Sequence, residues 1–201
     1  MTDKNFYNTI EKPATAEFRD RGSNFIAYAF PLQSAEDFKK RLKALRSEHP
    51  KAAHHCFAYR MGMDGTSFRA GDDGEPSGSA GKPILGQIDS RELTDTAIVV
   101  VRYFGGTLLG VPGLINAYRT AASLALQLTP IIKKPVLEIF RLNFDYTLVN
   151  DVMMVIKRFG CQVIENEMQL FCHMTVGIPK DVLETCLSKL EDLYGVEVLK
   201  K

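Results

Sequence analysis

The segment VLEIFRLNFDYTLVNDVMMVIKRFG, residues 136–160, carries two hydrophobic periods in succession. Residues 136–145 are rich in apolar and aromatic side chains and read as a strand. In 147–159 the side chains of Leu148, Val152, Val155, Ile156 and Phe159 fall on one helical face, and Gly160 supplies the stop. Downstream, 161–165 and 169–178 read as a hairpin. Pro179 then opens a second helix at a position where its missing N–H costs nothing, with Leu183, Leu187, Leu190 and Tyr194 stacking along it until Gly195. A short strand at 196–199 closes the series. The order β-α-β-β-α-β is the split βαβ, ferredoxin-like arrangement.

Upstream, the stretch TPIIKKPV (129–136) sets Pro130 and Pro135 around two lysines, directly after an alanine- and leucine-rich helical stretch. It divides the chain into domains 1–134 and 135–201. In the first, 16–30 carries two extended segments separated by Arg21-Gly22-Ser23. Ser34 caps a helix with Asp37 as its capping-box partner and Phe38, Leu42 and Leu45 as the buried stripe, while Lys39, Lys43 and Arg46 share another face. Residues 54–61 read as a strand and 62–81 as a turn-rich segment. The run AIVVVRYF (97–104) is continuously apolar for a strand's length, which predicts burial on both faces or nearly so. Gly105 and Gly106 end it, and a helix is expected from about 112 to 128, before Pro130 forbids continuation. This half reads as a mixed two-layer α/β domain, and the whole chain as α+β.

With 25 basic and 24 acidic side chains and 45% hydrophobic residues, the 201-residue chain has the composition of a globular protein of one or two domains, which excludes disorder and coiled-coil rods. Charge is uneven but weakly so: 18 basic against 14 acidic residues in 1–134, and 7 against 10 in 135–201. No apolar run approaches the roughly 20 residues that cross a bilayer. Cys56, Cys161, Cys172 and Cys186 form no C-x-x-C pair, and residues 1–10 show no apolar stretch behind a basic start, so a reducing, cytoplasmic compartment is expected.

Three places can carry chemistry. The loop GDDGEPSGSAG (71–81) is too rich in glycine and carboxylate to be core. Asp72, Asp73 and Glu75 can hold a hard cation, or with Ser77 and Ser79 support acid/base work; alternatively these carboxylates cap turns and accept backbone N–H bonds. The spacing is not that of an EF-hand. A phosphate-binding loop ending in Lys82 also fails, because Ser77 stands where its first glycine belongs and Pro83 follows the lysine. Second, Arg102-Tyr103-Phe104-Gly105-Gly106 ends a buried strand and feeds a helix, which directs backbone N–H groups and a guanidinium toward one spot suited to an anion. The competing reading pairs Arg102 with Asp72, Asp73 or Glu75. Third, His49, His54, His55 and Cys56 lie close in sequence, but neighbours on a strand face opposite ways, which disfavours a Cys–His nucleophile. His173 reads as a satisfied structural histidine. The stripe Lys39, Lys43, Arg46 reads as a solvated helix face, and near-neutral net charge argues against avid nonspecific binding to nucleic acid.

The combination DDGEPSGSAGKPIL (72–85), VVVRYFGGTLLG (99–110) and AYRTAA (117–122), with NFIAYAFP (24–31) and AHHCFAYRMG (53–62) upstream, resembles the IMPACT family in its two-domain bacterial branch. The resemblance implies a first domain with the two-layer fold shared by ribonuclease PH and a ribosomal protein domain, and a ferredoxin-like second domain similar to the last domain of elongation factor G. It also implies kinship with eukaryotic translation regulators that compete for the activator of a starvation-sensing kinase. Their additional amino-terminal interaction domain is not expected here, so that partner is not carried over. Ser79 stands where the family commonly has threonine, and Pro112 and Asn116 stand where glycine and arginine are more usual. That leaves Lys82, Arg102 and Arg119 as cations for an anion- or nucleic-acid-binding site with Tyr103, Gly105 and Gly106. Gly74 belongs to the motif loop with Asp72, Asp73, Glu75, Ser77 and Ser79.

The expectation is a non-enzymatic, translation-associated binding protein contacting ribosome, RNA or a translation factor, without cofactor, metal or membrane. The alternative is a hydrolytic or phosphate-handling enzyme built on Asp72, Asp73 and Glu75. An adaptor without RNA contact is a third reading. Association with a second copy of the chain is compatible with all three.

Overall fold

A computed structural model describes residues 5–201 and divides the chain into two compact units, Tyr7–Lys134 and Pro135–Lys201, with Asn5 and Phe6 grouped with the second. The chain is mixed α+β. Its elements up to Pro135 are β1 (Phe6–Ile10), β2 (Ala14–Asp20), β3 (Ser23–Pro31), α1 (Ala35–Glu48), β4 (His54–Met61), β5 (Ser67–Gly71), α2 (Gly81–Asp89), β6 (Thr96–Tyr103), α3 (Gly110–Gln127) and β7 (Ile131–Pro135). Strands pair in the order β2-β3-β6-β4-β5, antiparallel throughout, while β1 and β7 make a separate two-stranded sheet.

Strand β6 is the centre of this sheet, and its side chains from Ala97 to Val101 are fully buried. Alternation sends Ile98 and Val100 to one face, against Ile84 and Ile88 of α2 and Leu114, Tyr118 and Ala121 of α3. Ala97, Val99 and Val101 face the other way, against Phe38 and Leu45 of α1. The Phe38 ring sits 4.9 Å from Phe57 and 4.8 Å from Tyr59. Helices therefore cover both faces of the sheet, which corrects the expectation of two layers. The unbroken apolar character of β6 is the sequence mark of that double cover.

Local differences have local causes. The Ser34 hydroxyl accepts from the Asp37 N–H at 3.1 Å, but the Asp37 carboxylate takes Arg41 Nε at 3.0 Å rather than closing a reciprocal capping box. The segment read as turns contains β5, and the family motif runs on into α2. Strand β5 is mostly exposed and lacks an alternating apolar pattern, and α2 carries Pro83 and Gly86, so neither announces itself by periodicity.

The second unit runs β8 (Leu137–Asp145), a 3-10 turn at Tyr146–Leu148, α4 (Val149–Arg158), β9 (Gln162–Glu167), β10 (Phe171–Pro179), a 3-10 turn at Lys180–Val182, α5 (Leu183–Glu191) and β11 (Glu197–Lys200). Its sheet has the order β11-β8-β10-β9, with each neighbouring pair antiparallel. Pro179 ends β10 opposite Leu137 instead of opening the helix, because its ψ of 133° is extended. Tyr194 lies beyond α5 and is 99% exposed, so it does not belong to the apolar stripe. The core gathers Phe140, Leu142 and Phe144 with Val152, Ile156 and Leu190. No helix among the described residues is long and apolar enough to cross a membrane.

One close crossing in the first unit fixes a glycine. A Cβ on Gly105 would stand 1.9 Å from the carbonyl carbon of Gly22 and 2.2 Å from the Ser23 nitrogen, whereas a Cβ on Gly106 would meet nothing within 4 Å. Gly105→Ala is therefore expected to abolish soluble folding or lower Tm by many degrees. Gly106→Ala, at φ +85°, should cost only about 1–2 kcal/mol for its left-handed backbone. Thermal unfolding of the two variants side by side checks this; equal Tm values would refute the crossing.

Candidate functional site

The loop between β5 and α2 is held by its own carboxylates. Asp72 Oδ1 accepts the N–H groups of Ala80 at 3.0 Å and Gly81 at 2.8 Å, and Oδ2 accepts that of Gly78 at 2.9 Å. Helix α2 has no side-chain cap from Ala80 at its own start. Asp72 thus satisfies donors that a neighbouring Ser or Asp would usually take. Burial alone would raise the Asp72 pKa, but these three N–H groups and the charge of Lys82 outweigh it and hold it below its ordinary 3.8. Asp73, with a left-handed φ of 44°, accepts Arg46 Nη2 at 2.8 Å and the His55 N–H at 2.7 Å. Its carbonyl accepts His54 Nδ1 at 2.8 Å, so that nitrogen carries the proton. Gly74 follows at φ +90°.

Glu75 points inward. Its Oε1 accepts Arg102 Nη1 at 2.6 Å and the Tyr118 hydroxyl at 2.7 Å, with His54 Nε2 at 3.8 Å. Glu75 and Arg102 side chains are 4% and 6% exposed, so this is a buried ion pair. The Arg102 guanidinium also lies over the rings of Phe25 and Phe104, 5.4 and 5.6 Å from their centroids, and Nη2 reaches the Ser23 hydroxyl at 3.4 Å. Cys56 completes the cluster: its thiol donates to the Asp72 carbonyl at 2.9 Å and its sulfur lies 3.3 Å from the Tyr118 oxygen. Burial pushes the Cys56 thiol far up, and burial followed by Cys56 and Glu75 does the same to the Tyr118 phenol. Cys56 is therefore a protonated, buried donor without nucleophilic character.

Strand alternation separates residues adjacent in sequence. Arg102 and Tyr103 leave opposite faces of β6: the Tyr103 hydroxyl meets His49 Nδ1 at 2.8 Å, and the Tyr28 hydroxyl meets Nε2 of the same ring at 2.7 Å. The Gly105 N–H donates to the Ser23 hydroxyl at 3.2 Å. His54 turns toward Glu75 and His55 toward Asp73, on different faces, so the histidine pair does not converge. His173 Nδ1 bonds Asn143 Oδ1 at 2.7 Å, as a structural histidine does. Ser79 is buried with its hydroxyl on the Pro76 carbonyl at 2.6 Å, and Ser77 is exposed. Among the described residues no group of three or more His, Cys, Asp or Glu side chains has metal-binding geometry.

Two of the predicted cations face solvent, Lys82 at the start of α2 and Arg119 on α3, and so do Asp73, Gly74, Ser77, Gly105 and Gly106. Neither cation forms a hydrogen bond or ion pair among the described residues, although Lys82 acts electrostatically on Asp72. Beside Gly106 the connection to α3 exposes Phe104 and Leu108, and α3 starts without a side-chain cap or an acidic residue in its first turn. Sequence reading singled out the cations and glycines here. It missed Tyr118 as the second donor to Glu75 and Leu108 as a surface residue: the first sits in an alanine-rich helix, and the second is an apolar residue that hydropathy assigns to a core.

The Impact N-terminal domain family model matches residues 21–126. The IMPACT family member YigZ of Escherichia coli is 34% identical over 183 residues, covering 90% of this chain and 89% of its own. A crystal structure described only as a hypothetical protein superposes with a TM-score of 0.80 at 29% identity, covering 98% of both chains. Yih1, described as a two-domain translational regulator, is 29% identical over 61% of this chain and 47% of its own, with a TM-score of 0.37 that carries no structural argument.

Asp72→Ala removes three accepted N–H bonds and should cost about 1–2 kcal/mol, the scale of a lost helix cap. Because the folded-state pKa of Asp72 is lowered, its contribution is whole above the ordinary value of 3.8 and disappears as the pH falls through the lower folded value. Urea unfolding of both proteins at neutral pH and in acid should show the gap closing in acid; a constant gap would contradict the capping role.

Proposed function

Because the chain belongs to the IMPACT family, we propose that it is a non-enzymatic, translation-associated binding protein whose first unit contacts ribosomal or other structured RNA. The observation that carries this reading is the division of polar groups. Asp72, Asp73 and Glu75, the residues a hydrolytic enzyme would need, are engaged by internal donors, whereas Lys82 and Arg119 project from α2 and α3 with no direct partner among the described residues. Exposed cations without a carboxylate partner suit phosphate groups. In this reading Arg102 and Tyr103 hold the strand end from its two faces, Gly105 keeps the crossing tight, and Gly106 brings exposed backbone to the surface. The translational role of Yih1 belongs to that protein; family membership and the disposition of charge support the reading for this one.

The finer fold assignments belong to the same proposal. The antiparallel order β11-β8-β10-β9, joined through two helices, supports a ferredoxin-like second domain over 135–201, similar to the last domain of elongation factor G. An IMPACT-type domain over 1–134 is supported by the family match, and four unpaired cysteines fit a reducing cytoplasm.

Sedimentation with purified ribosomes and subunits across a salt series tests the function. Co-sedimentation should fall steeply with salt, and the Lys82→Ala/Arg119→Ala variant should bind more weakly, its log–log salt slope shallower by about one per lost phosphate contact. Binding unaffected by the double change, or none at low salt, would refute the proposed surface.

A further inference from the structure

Two thiols face each other in the second unit. Cys161 follows Gly160 at the end of α4, where its N–H donates to the Ile156 carbonyl at 3.0 Å, and Cys186 lies on α5. Their Sγ atoms are 3.6 Å apart. Cys186 is fully buried, whereas Cys161 is half-buried and so open to a small reagent. The pair lies within one unit, and neither residue takes part in the proposed RNA surface.

We propose that Cys161 and Cys186 are a peroxide-reactive dithiol, with Cys161 the attacking sulfur and Cys186 the resolving one. The thiolate of Cys161 attacks one oxygen of a hydroperoxide. An S–O bond forms, the O–O bond breaks, and the departing oxygen leaves as an alcohol, or as water from hydrogen peroxide, after taking a proton. Cys186 then gives up its proton and its sulfur attacks the Cys161 sulfenic acid. The S–S bond forms, the S–O bond breaks, and the hydroxyl leaves with that proton as water. Two thiols are oxidised and one peroxide is reduced by two electrons.

The division of roles follows from the surroundings. Cys161 is the half-buried member of the pair and Cys186 the fully buried one, so a peroxide reaches Cys161 first, and contact between the two thiols lowers the Cys161 pKa against the opposing effect of burial. The Cys161 negative charge that holds the proton on Cys186 is gone once Cys161 is a neutral sulfenic acid. Closing from 3.6 Å to a bond of about 2.05 Å then asks for a small shift of one side chain or backbone segment. The other two thiols are differently placed: buried Cys56 donates to the Asp72 carbonyl, and buried Cys172 donates to the Gln169 carbonyl at 3.5 Å. The new bond ties the end of α4 to α5 and should raise the unfolding temperature of the second unit.

Treating the intact, folded protein with a small excess of hydrogen peroxide and mapping its peptides without reduction tests this. The expected result is a single linked pair, Cys161 with Cys186, reversed by dithiothreitol. Cys56 and Cys172 should remain alkylatable after unfolding. In Cys186→Ala, dimedone should label Cys161, and Cys161→Ala should lower the rate of peroxide consumption at least about tenfold. Four free thiols after treatment, or first labelling at Cys172 or Cys186, would overturn the proposal. Should Cys186→Ala not fold, the wild-type peptide map decides alone.

Discussion

A guanidinium and a carboxylate removed from water must find each other, and the first unit is organised around one such pair. Arg102, at the end of the central strand, and Glu75, on the motif loop, meet at 2.6 Å with almost no exposure. Either charge alone in that place would be costly by several kcal/mol, so the loop cannot lift from the strand without leaving one stranded. Other contacts follow from the same closure. Tyr118 brings α3 to the same carboxylate oxygen, Cys56 donates a hydrogen bond to the Asp72 carbonyl, and Asp72 caps α2. The Gly22–Gly105 crossing keeps the next turn of chain close enough for the Ser23 hydroxyl to reach both Gly105 and Arg102.

This arrangement turns the most conspicuous residues of the sequence inward. Glu75 and Arg102 look like catalytic or ligand-binding equipment, yet both are buried in the internal scaffold, and Asp72 and the exposed Asp73 are engaged by donors of the same unit. Solvent is reached by Lys82 on one side of the loop, by Arg119 on α3, and by the connection through Gly106 and Leu108. The buried network fixes the backbone from which Lys82 projects, so the proposed phosphate contact would have to order only the lysine side chain.

Much of the fold was legible in 136–160 and 97–104, because one stretch shows a change from strand to helix period and the other shows strand burial on both faces. The β4 strand at His54–Met61 and the Ser34 cap were equally plain. Strand β5 and helix α2 were not: one is an exposed strand at the sheet edge, and the other is capped by Asp72, nine residues from Gly81. In the site, pairing of Arg102 with one of three acidic residues was foreseeable, since a buried arginine needs a carboxylate. Choosing Glu75 required the loop's turn at Asp73 and Gly74, whose positive φ values place Asp73 outward and Glu75 inward. Tyr118 depended on helix packing that no local pattern encodes.

The most direct test of this account is a double-mutant cycle on Glu75 and Arg102, read as unfolding free energy in urea. With Glu75→Gln and Arg102→Met, each single change should destabilise by about 3–5 kcal/mol, because each strands the other charge. The double variant should be more stable than the sum of the singles by about 2–3 kcal/mol. Additive losses, or singles that cost no more than an ordinary surface substitution, would contradict the claim that this pair holds the loop to the central strand.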